Sequence, residues 1–441
     1  MLVRPERPSR SEGGRPGRSA RRVKGRASPR SGRAAASPSG LTPDATDPDH
    51  GSVTSADVIV VGAGVQGASL AFHLAERGAS VLVLERASVA AGATGRSSGF
   101  VRMHYDLEAE ARLAWASAPY FWDWPSRVGA GDPGFVRTGF LQLVPPGFEA
   151  HLRANVAMQQ RLGIATLLLA GDDVRRLVPD LAADDIAVAA YEPLSGYADP
   201  AATAAGFLSA ARARGARYVG GCRVERVTTA GDRVTGVASD QGAFAAAVVV
   251  DAAGAWAGTL AASVGVEVPI ETWRHDTFVL GRPPGLRSPL PIVLDHALGV
   301  YFRPEGVHQL LVGLEDENRL GGDPDRPLEA TPMRTTEIAV ERLTRRLPAA
   351  EAATLERAFA GQDGITPDQR AIIGPAGPEG FWLCCGFSGT GFKTAPAIGA
   401  ALAAWICGDA AGARDLAPFR LERFRTGELL VGDHPYPSLW R

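Results

Sequence analysis

Residues 57–85, DVIVVGAGVQGASLAFHLAERGASVLVLE, constrain the fold more than any other stretch of the chain. An apolar run at 58–61 leads into the glycine pattern GAGVQG, and a helical stretch then continues to Arg77. A second apolar run at 81–84 ends in Glu85. A strand, a glycine turn, a helix and a second strand in this order predict a βαβ unit of a parallel sheet that binds a dinucleotide.

The three glycines have separate roles in this prediction. Gly62 permits the tight turn after the strand, and the missing side chain at Gly64 lets the backbone approach a pyrophosphate. Gly67 lets the helix lie close to the sheet, and the helix N-terminus attracts the phosphates. Glu85 can accept hydrogen bonds from both hydroxyls of an adenosine ribose, which favours FAD or NAD over NADP. The first candidate cofactor contacts are Gly62, Ala63, Gly64, Val65, Gln66, Gly67, Glu85 and Arg86.

Composition limits the other function classes. The 441 residues are 45% hydrophobic, enough to bury one large or two medium-sized cores. The net charge of −2 divides into +6 for residues 1–55, with eleven basic and five acidic residues, and −8 for the remainder. The acidic remainder argues against a nucleic-acid groove, and no apolar stretch approaches the roughly 18 residues of a membrane span. We therefore expect a cytoplasmic protein without a nucleic-acid partner or a membrane span.

Four cysteines and a basic tail complete the overall picture. Cys222, Cys384, Cys385 and Cys407 show no CxxC spacing, so we expect buried thiols rather than a disulfide framework or a metal site. Residues 1–55 contain Arg, Ser, Pro, Gly and Ala without aromatic residues, which predicts a disordered tail. A targeting segment, a plain tail and an over-extended start of the reading frame all stay open for it.

The rest of the chain mixes helical and alternating patterns. Asp199 and Pro200 predict a capped helix start, and residues 268–316 alternate as three or four antiparallel strands would. Further helices are predicted at 107–128, 149–162, 172–178, 201–214, 335–347 and 350–359, and further strands at 138–146, 217–229, 233–239 and 248–250.

A second glycine-rich stretch lies near the end of the chain. A strand at 381–385 leads into GFSGTGFK at 386–393, and an apolar helix is predicted to begin near Pro396. The strand at 248–250 is likewise followed by the small-residue loop DAAGAW, which fits either a dinucleotide contact or an ordinary turn. Two strand–glycine–helix units at opposite ends of the chain predict one long cofactor with two chemically distinct ends.

Together these stretches resemble the FAD-dependent amine and amino-acid oxidoreductases of the D-amino-acid oxidase superfamily, especially the sarcosine oxidase, dimethylglycine dehydrogenase and glycine oxidase branch. The motifs that carry the resemblance are the 57–85 fingerprint, GATGRSSG at 92–99, AAGAW at 252–256, TPDQRAIIGP at 366–375 and GFSGTGFKTAP at 386–396.

The resemblance covers residues 56–425 and implies an α/β fold. A Rossmann-like FAD-binding domain with a parallel sheet would be accompanied by a substrate domain with a mixed or antiparallel sheet. The implied segments are 56–137, 197–267 and 358–425 for FAD, 138–196 and 268–357 for substrate, with a C-terminal extension at 426–441.

The implied reaction is oxidation of the C–N bond of an amino acid or N-alkyl amino acid to an imine, by hydride transfer to flavin N5, followed by hydrolysis. Lys393 matches the family lysine that binds a substrate carboxylate, and Arg102 falls near the position of the family arginine with that role. Second-rank catalytic candidates are His104, His275, Tyr301, Arg303 and His308. The remaining implied FAD contacts are Thr94, Arg96, Ser97, Ser98, Val224, Ala253, Gly254, Trp256, Gly389, Thr390, Gly391, Phe392 and Lys393.

The chain departs from the family pattern in three places. Gly361 and the pair Ser97 and Ser98 stand where relatives tether the flavin through cysteine or histidine, so we expect non-covalent FAD. The strand at 310–313 lacks the lysine that activates oxygen, which favours a dehydrogenase over an oxidase. Oxygen and an unidentified carrier stay open as electron acceptors, as do the substrate and the oligomeric state. The alternatives are a non-catalytic or subunit-type flavoprotein and an NAD-dependent dehydrogenase.

Overall fold

The first βαβ unit folds as its sequence predicts. The computed structural model describes residues 55–437 apart from 287, 288 and 318, so the predicted tail lies outside the described residues except for Ser55. Strand β1 (Ser55–Val61) pairs in parallel with strand β2 (Val81–Glu85), and helix α1 (Val65–Glu76) connects them. The apolar half of β1 is buried, as expected for a parallel strand covered on both faces.

The remaining elements alternate between helix and strand along the chain. The strands are β3 (Phe100–Val101), β4 (Val136–Arg137), β5 (Phe140–Leu143), β6 (Leu167–Ala170), β7 (Val188–Glu192), β8 (Gly196–Tyr197), β9 (Arg217–Gly220), β10 (Val224–Ala230), β11 (Arg233–Ser239), β12 (Gly242–Asp251), β13 (Glu271–Gly281), β14 (Ile292–Asp295), β15 (Val300–Glu305), β16 (Gln309–Leu314), β17 (Arg319–Leu320), β18 (Thr354–Ile365), β19 (Ile372–Pro375) and β20 (Phe381–Cys385). The helices are α2 (Glu108–Trp122), α3 (Trp124–Arg127), α4 (Glu149–Arg161), α5 (Gly171–Leu177), α6 (Pro200–Ala213), α7 (Ala257–Ala262), α8 (Met333–Arg346), α9 (Gly391–Ile406), α10 (Ala410–Leu416) and α11 (Glu422–Thr426). The predicted cap of α6 is confirmed, because the Asp199 carboxylate accepts a hydrogen bond from the Ala202 N–H at 2.9 Å.

Within the described part of the chain, the first large sheet has eight strands. Its parallel centre contains β9, β2, β1, β12 and β20, whereas β10, β11 and β19 pair antiparallel at its sides. The carboxyl ends of parallel strands meet at one edge of a sheet, so Gly62, Glu85 and Asp251 come together there. The predicted Rossmann-like parallel sheet is confirmed.

The second large sheet has nine strands in the same described range. Strands β13, β16, β15 and β14 lie side by side and antiparallel, which confirms the pattern predicted for 268–316. The sheet is mixed because β14 pairs in parallel with β5. Phe278, Phe302 and Val312 pack with Leu343 of α8 in its core. The fold class is therefore the predicted α/β combination, while the segment limits of the two domains stay a prediction.

Helices α1 and α9 pack closely and bring the two glycine stretches together. A Cβ at Gly399 would lie 2.3 Å from Ser69 Oγ, so this contact requires glycine in α9. The Ser69 hydroxyl donates to the Ala395 carbonyl at 2.8 Å. One turn nearer the helix starts, Gln66 Nε2 donates to the Gly391 carbonyl at 2.7 Å. The N-termini of α1 and α9 are thus fixed to each other.

The prediction of a helix at 350–359 is wrong. Residues 348–352 form a 3₁₀ turn, and β18 runs from Thr354 to Ile365 along the whole of β13. The sequence EAATLERA favours a helix locally, but the ladder with β13 satisfies the backbone over twelve residues and overrides that preference.

Two helix boundaries also differ from expectation. Helix α9 begins at Gly391 and runs through Pro396, where we expected its start. The Ala397 N–H donates to Ser117 Oγ at 3.0 Å, so a side chain of α2 accepts a hydrogen bond from the backbone beside the proline. The helix predicted at 107–128 breaks at Asp123, which leaves helical geometry with φ −141° and ψ 58°.

Candidate cofactor and active site

A cavity of about 720 Å³ lies at the carboxyl ends of the parallel strands. This volume falls within the roughly 300–1,000 Å³ typical of small-molecule sites. Both glycine turns contribute to its lining, as the sequence predicted for one long cofactor. The candidate residues that line it are Gly62, Gly64, Val65, Gln66, Glu85, Arg86, Thr94, Arg96, Ser97, Ser98, Val224, Ala253, Gly254, Trp256, His275, Tyr301, Gly389, Gly391 and Phe392.

The first turn needs glycine for steric reasons. Gly62 has φ +108°, and a Cβ there would lie 2.5 Å from the Ala252 carbonyl oxygen. A Cβ at Gly67 would lie 2.0 Å from the Gly62 carbonyl oxygen, closer than any real contact. At Gly64 a Cβ would approach Thr94 Oγ1 to 3.2 Å and project into the cavity lining. The backbone at this turn is therefore open to a ligand phosphate.

Glu85 is held in place by two backbone donors. Its Oε2 accepts from the Ala63 N–H and its Oε1 from the Ala87 N–H, both at 2.8 Å. The side chain lines the cavity at the end of β2, where a dinucleotide fold presents an acid to the adenosine ribose. Ala63 itself does not line the cavity but orients this carboxylate.

Near Glu85 the cavity is bordered by a contact between three side chains. Arg86 stacks over the Trp256 ring, with its guanidinium carbon 4.2 Å from the ring centroid, and pairs with Asp325 at 2.7 Å. The Trp256 indole N–H donates to the same carboxylate at 2.9 Å. Asp325 belongs to residues 323–328, which also line the cavity. No local pattern predicts a role for this loop, because its contacts to Arg86 and Trp256 join residues far apart in the chain.

The segment after the first βαβ unit closes over the α1 N-terminus. Thr94 Oγ1 accepts from the Val65 N–H at 3.0 Å, and Arg96 donates to the Gly92 carbonyl at 2.9 Å. Ser97 and Ser98 line the cavity beside them. The segment is therefore a folded wall of the cavity, with no histidine available for a flavin tether.

The second glycine turn is held by a carboxylate that the sequence reasoning missed. Asp363 Oδ2 accepts from the Gly389 N–H and Oδ1 from the Gly364 N–H, both at 2.8 Å. Burial raises the pKa of Asp363, and the two N–H donors oppose that rise. Asp363 is two residues beyond Gly361 on β18 and points to the same side of the strand. Thr390 does not line the cavity; its hydroxyl donates to the Phe387 carbonyl at 2.8 Å.

Two features of the cavity wall bear on the mode of flavin attachment. A Cβ at Gly361 would lie 2.9 Å from Arg96 Cβ, so a cysteine there would have to displace that side chain. Cys384 does line the cavity, but burial and the neighbouring Asp251 raise the pKa of its thiol to about 12. A thiol that stays protonated is a poor nucleophile.

His275 and Tyr301 form a hydrogen-bonded pair in the cavity wall. His275 Nε2 and Tyr301 Oη share a hydrogen bond, and the rings stack with centroids 5.8 Å apart. Burial raises the pKa of Tyr301, which therefore keeps its proton at neutral pH. Gly313 lies opposite Tyr301 in the sheet, and a Cβ there would come within 2.2 Å of the phenol.

Lys393 and Arg102 lie together but outside the cavity lining. The Lys393 Nζ is 5.7 Å from the Tyr105 ring centroid, and the Arg102 guanidinium carbon is 4.5 Å from the same centroid. Their side chains are buried, with residue exposures of 6% and 3%. Burial, followed by the Arg102 charge, holds the pKa of Lys393 well below its ordinary value, and Glu110 opposes this in part.

The other candidates lie apart from the cavity. His104 is buried and hydrogen-bonded to Tyr436, and burial together with Arg102 keeps its pKa well below the usual value. Arg303 Nε donates to the Ser98 carbonyl at 2.7 Å and supports the cavity wall from behind. His308 is exposed in the turn between β15 and β16.

Sequence comparison agrees with this geometry. The family described as FAD-dependent oxidoreductase, DAO, matches residues 57–405, which include both glycine turns and both large sheets. The chain belongs to the DAO family of FAD-dependent oxidoreductases. FAD is therefore its cofactor, and this assignment replaces the NAD-dependent alternative.

Members of the DAO family with recorded activities are similar over most of this chain. Human mitochondrial sarcosine dehydrogenase is 28% identical over 87% of the chain, which spans only 42% of that larger protein. Sarcosine oxidase subunit beta from Arthrobacter is 27% identical, covering 85% of this chain and 93% of the relative. The crystal structure of L-proline dehydrogenase from P. horikoshii has a TM-score of 0.79 and 26% identity, covering 86% of this chain and all of that one.

Among the helices of the described residues, none combines the length and the apolar character that crossing a membrane requires.

Proposed function

We propose that this chain oxidises the C–N bond of an amino acid or N-alkyl amino acid to an imine, which water then hydrolyses. Bound FAD supplies the hydride acceptor, flavin N5. The proposal rests on one juxtaposition. Both glycine turns line a single cavity, and Lys393, at the end of the second turn, shares the buried Tyr105 ring with Arg102. The names of the relatives, which act on sarcosine or proline, support the same class of substrate.

The first glycine turn and β2 would hold the adenosine half of the cofactor. The N-terminus of α1 presents backbone N–H groups to a pyrophosphate, and Gly64 lets it come close. Glu85, oriented by the Ala63 and Ala87 N–H groups, would accept from the ribose hydroxyls. Arg86 and Trp256 would border the adenine end.

The second glycine turn would stabilise negative charge at the other end of the cofactor. Helix α9 has sixteen residues and starts at Gly391, so its first N–H groups and its dipole point toward the cavity that Gly391 and Phe392 line. A preorganised donor of this kind is worth about 2.7–4 kcal/mol of barrier. Asp363 fixes the preceding Gly389 and thereby the direction of these donors.

Lys393 and Arg102 would bind the substrate carboxylate. Two cations buried within 6 Å of one ring repel each other, and an anion placed between them relieves that repulsion. Each charge-assisted hydrogen bond would contribute about 1.5–3 kcal/mol. The substrate amine would contact His275 or Tyr301, because both side chains line the cavity and share a hydrogen bond.

The sheet beside Tyr301 supports a dehydrogenase rather than an oxidase. Lys24 and Lys393 are the two lysines of the sequence, so β16 carries none. Glycine at 313 leaves room for Tyr301 and could not be exchanged for lysine without displacing it. We propose that electrons leave preferentially to an acceptor other than oxygen. Rapid mixing of the substrate-reduced protein with air tests this, and reoxidation within milliseconds would contradict it.

Anaerobic bleaching of the flavin tests the main proposal. Sarcosine, dimethylglycine, proline, pipecolate and both enantiomers of common amino acids would be mixed with the holoprotein under nitrogen. We expect at least one to bleach the flavin, and K393M to lose that response while retaining FAD. If none of these compounds bleaches the flavin of the wild-type protein, the proposal is wrong. Acid precipitation of the same sample tests the non-covalent attachment, and a pellet that stays yellow would contradict it.

An FAD-bearing subunit of a larger enzyme is the second candidate. The similarity to a sarcosine oxidase subunit over 93% of its length favours it. Absence of bleaching with every amine, together with a protein that copurifies in fixed ratio, would support this function instead.

A further inference from the structure

The C-terminal extension folds back onto the segment that carries Arg102. Residues 429–437 lie outside the 57–405 range of the family match, yet Tyr436 is only 3% exposed. Its ring packs with Leu152, Val156 and Val188. A tyrosine buried this completely packs as part of the protein core.

Four hydrogen bonds fasten the extension to three different parts of the protein. The Leu430 N–H donates to Asp368 Oδ2 at 3.1 Å. On α4, Asn155 Nδ2 donates to the His434 carbonyl at 2.9 Å, and His151 Nδ1 donates to the Pro435 carbonyl at 2.8 Å. The fourth bond joins Tyr436 Oη to His104 Nε2 at 2.7 Å.

Two residues of the 102–106 segment, His104 and Asp106, are in contact with the extension. At one end a Cβ on Gly432 would lie 2.5 Å from the Asp106 carbonyl oxygen, so the two backbones touch. In the middle of the segment the Tyr436 and His104 rings stack, with an interplanar angle of 22°. Tyr105 lies between these two contacts and Arg102 lies two residues before His104, and both belong to the cluster with Lys393.

We propose that Tyr436 is a positioning residue that sets the affinity for the substrate carboxylate by holding His104 and, through it, Arg102. This inference rests on the proposed function, because it takes Arg102 as the ligand of an anion. Arg102 lies two residues before His104 in the chain. Both also pack on Phe140, which Arg102 approaches to 5.5 Å and the His104 ring to 6.4 Å. Rotation of His104 would therefore be transmitted to the guanidinium.

Variant Y436F tests the hydrogen bond while keeping the ring. Acetate, the carboxylate of an amino acid without its amine, is titrated into the holoprotein and followed by the change in flavin absorbance. Loss of one hydrogen bond predicts an increase in the acetate Kd of about two- to twelvefold. With a bleaching substrate we expect KM to rise by a similar factor while kcat stays unchanged, and a substrate amine without a carboxylate to be unaffected.

A double-mutant cycle separates this role from a general effect on stability. R102M and Y436F should be non-additive, because Y436F has nothing left to position once Arg102 is gone. Variant V431A, whose side chain in the same extension is 55% exposed, is the matched control and should bind acetate as the wild type does. An unchanged acetate Kd in Y436F, or additive effects with R102M, would overturn the inference.

The two proposals fail in distinguishable ways. If R102M and K393M both bind acetate as tightly as wild type, the anion site itself is wrong. If they weaken acetate binding and Y436F does not, only the role of Tyr436 falls. A fall in melting temperature of Y436F with an unchanged acetate Kd would assign the tyrosine to packing alone.

Discussion

Lys393 should take up a proton when a carboxylate binds. In the free protein its side chain is 6% exposed and lies beside Arg102, and burial and that positive charge both hold its pKa well below the ordinary value. An arriving carboxylate adds an opposite charge at the same place, which favours the ammonium form and raises the pKa. At any pH between the free and bound pKa values, anion binding is therefore coupled to uptake of up to one proton.

This coupling fixes both the sign and the size of the pH dependence. Below the free-protein pKa of Lys393 the affinity for a carboxylate is constant, because the ammonium is already present. Above it, affinity falls tenfold, or about 1.4 kcal/mol, for each pH unit until the bound-state pKa is reached. In K393M the slope should vanish, and at the lower pH the lost charge-assisted bond of about 1.5–3 kcal/mol should weaken binding by roughly ten- to 150-fold.

Acetate titrations of the holoprotein from pH 6 to 10, followed through flavin absorbance, measure the slope. Calorimetric titration in two buffers with different ionisation enthalpies counts the protons taken up. R334M is the matched control, because it removes one cation from a side chain that is 75% exposed on α8. Wild-type binding without proton uptake, or a slope that persists in K393M, would refute the reasoning.

Three further predictions concern the cofactor site and the buried ion pairs. G67A would place a Cβ 2.0 Å from the Gly62 carbonyl oxygen and should weaken FAD binding by about 1–3 kcal/mol, measured by flavin fluorescence. In the control variant G258A the new Cβ would make only an ordinary 3.7 Å contact, so FAD should bind normally. R370M leaves the buried Asp106 and Glu110 carboxylates without their partner and should lower the free energy of unfolding in urea by about 3–5 kcal/mol. R112M breaks an exposed ion pair and should lower it by less than about 1 kcal/mol. Equal losses in the two variants would contradict a stabilising role for the buried ion pairs. D325A removes the contacts of Asp325 to Arg86 and Trp256 and should increase the rate of FAD release, measured after dilution. The increase should be about fivefold or less because these groups are partly exposed. An unchanged rate would show that the 323–328 loop does not retain the cofactor.

Local sequence determined the cofactor-binding elements. The strand, glycine turn and helix at 57–85 are specified by residues that are neighbours in the chain, and steric exclusion at Gly62 and Gly67 leaves few alternatives to that turn. The same holds for the second turn and for the alternating strands between 268 and 316. Most of the predicted cofactor contacts accordingly line one cavity.

Predictions from local sequence failed where contacts with residues distant in the chain outweigh the local conformational preference. Residues 354–359 form part of strand β18 although their composition favours a helix. Pairing with β13 gives hydrogen-bonding partners to backbone groups that a short helix would satisfy only in part. Asp363 carried no signal of its own, since its function as a clamp on Gly389 exists only once β18 and the second turn meet.

The sequence by itself determined that the chain would build two glycine turns for one dinucleotide, because each turn is specified by steric rules over a few consecutive residues. Only the tertiary structure decided that Gln66 joins Gly391, that Lys393 and Arg102 share the Tyr105 ring, and that Tyr436 returns to His104. These contacts join residues far apart in the chain, and their energies depend on burial and on distances that no local pattern encodes.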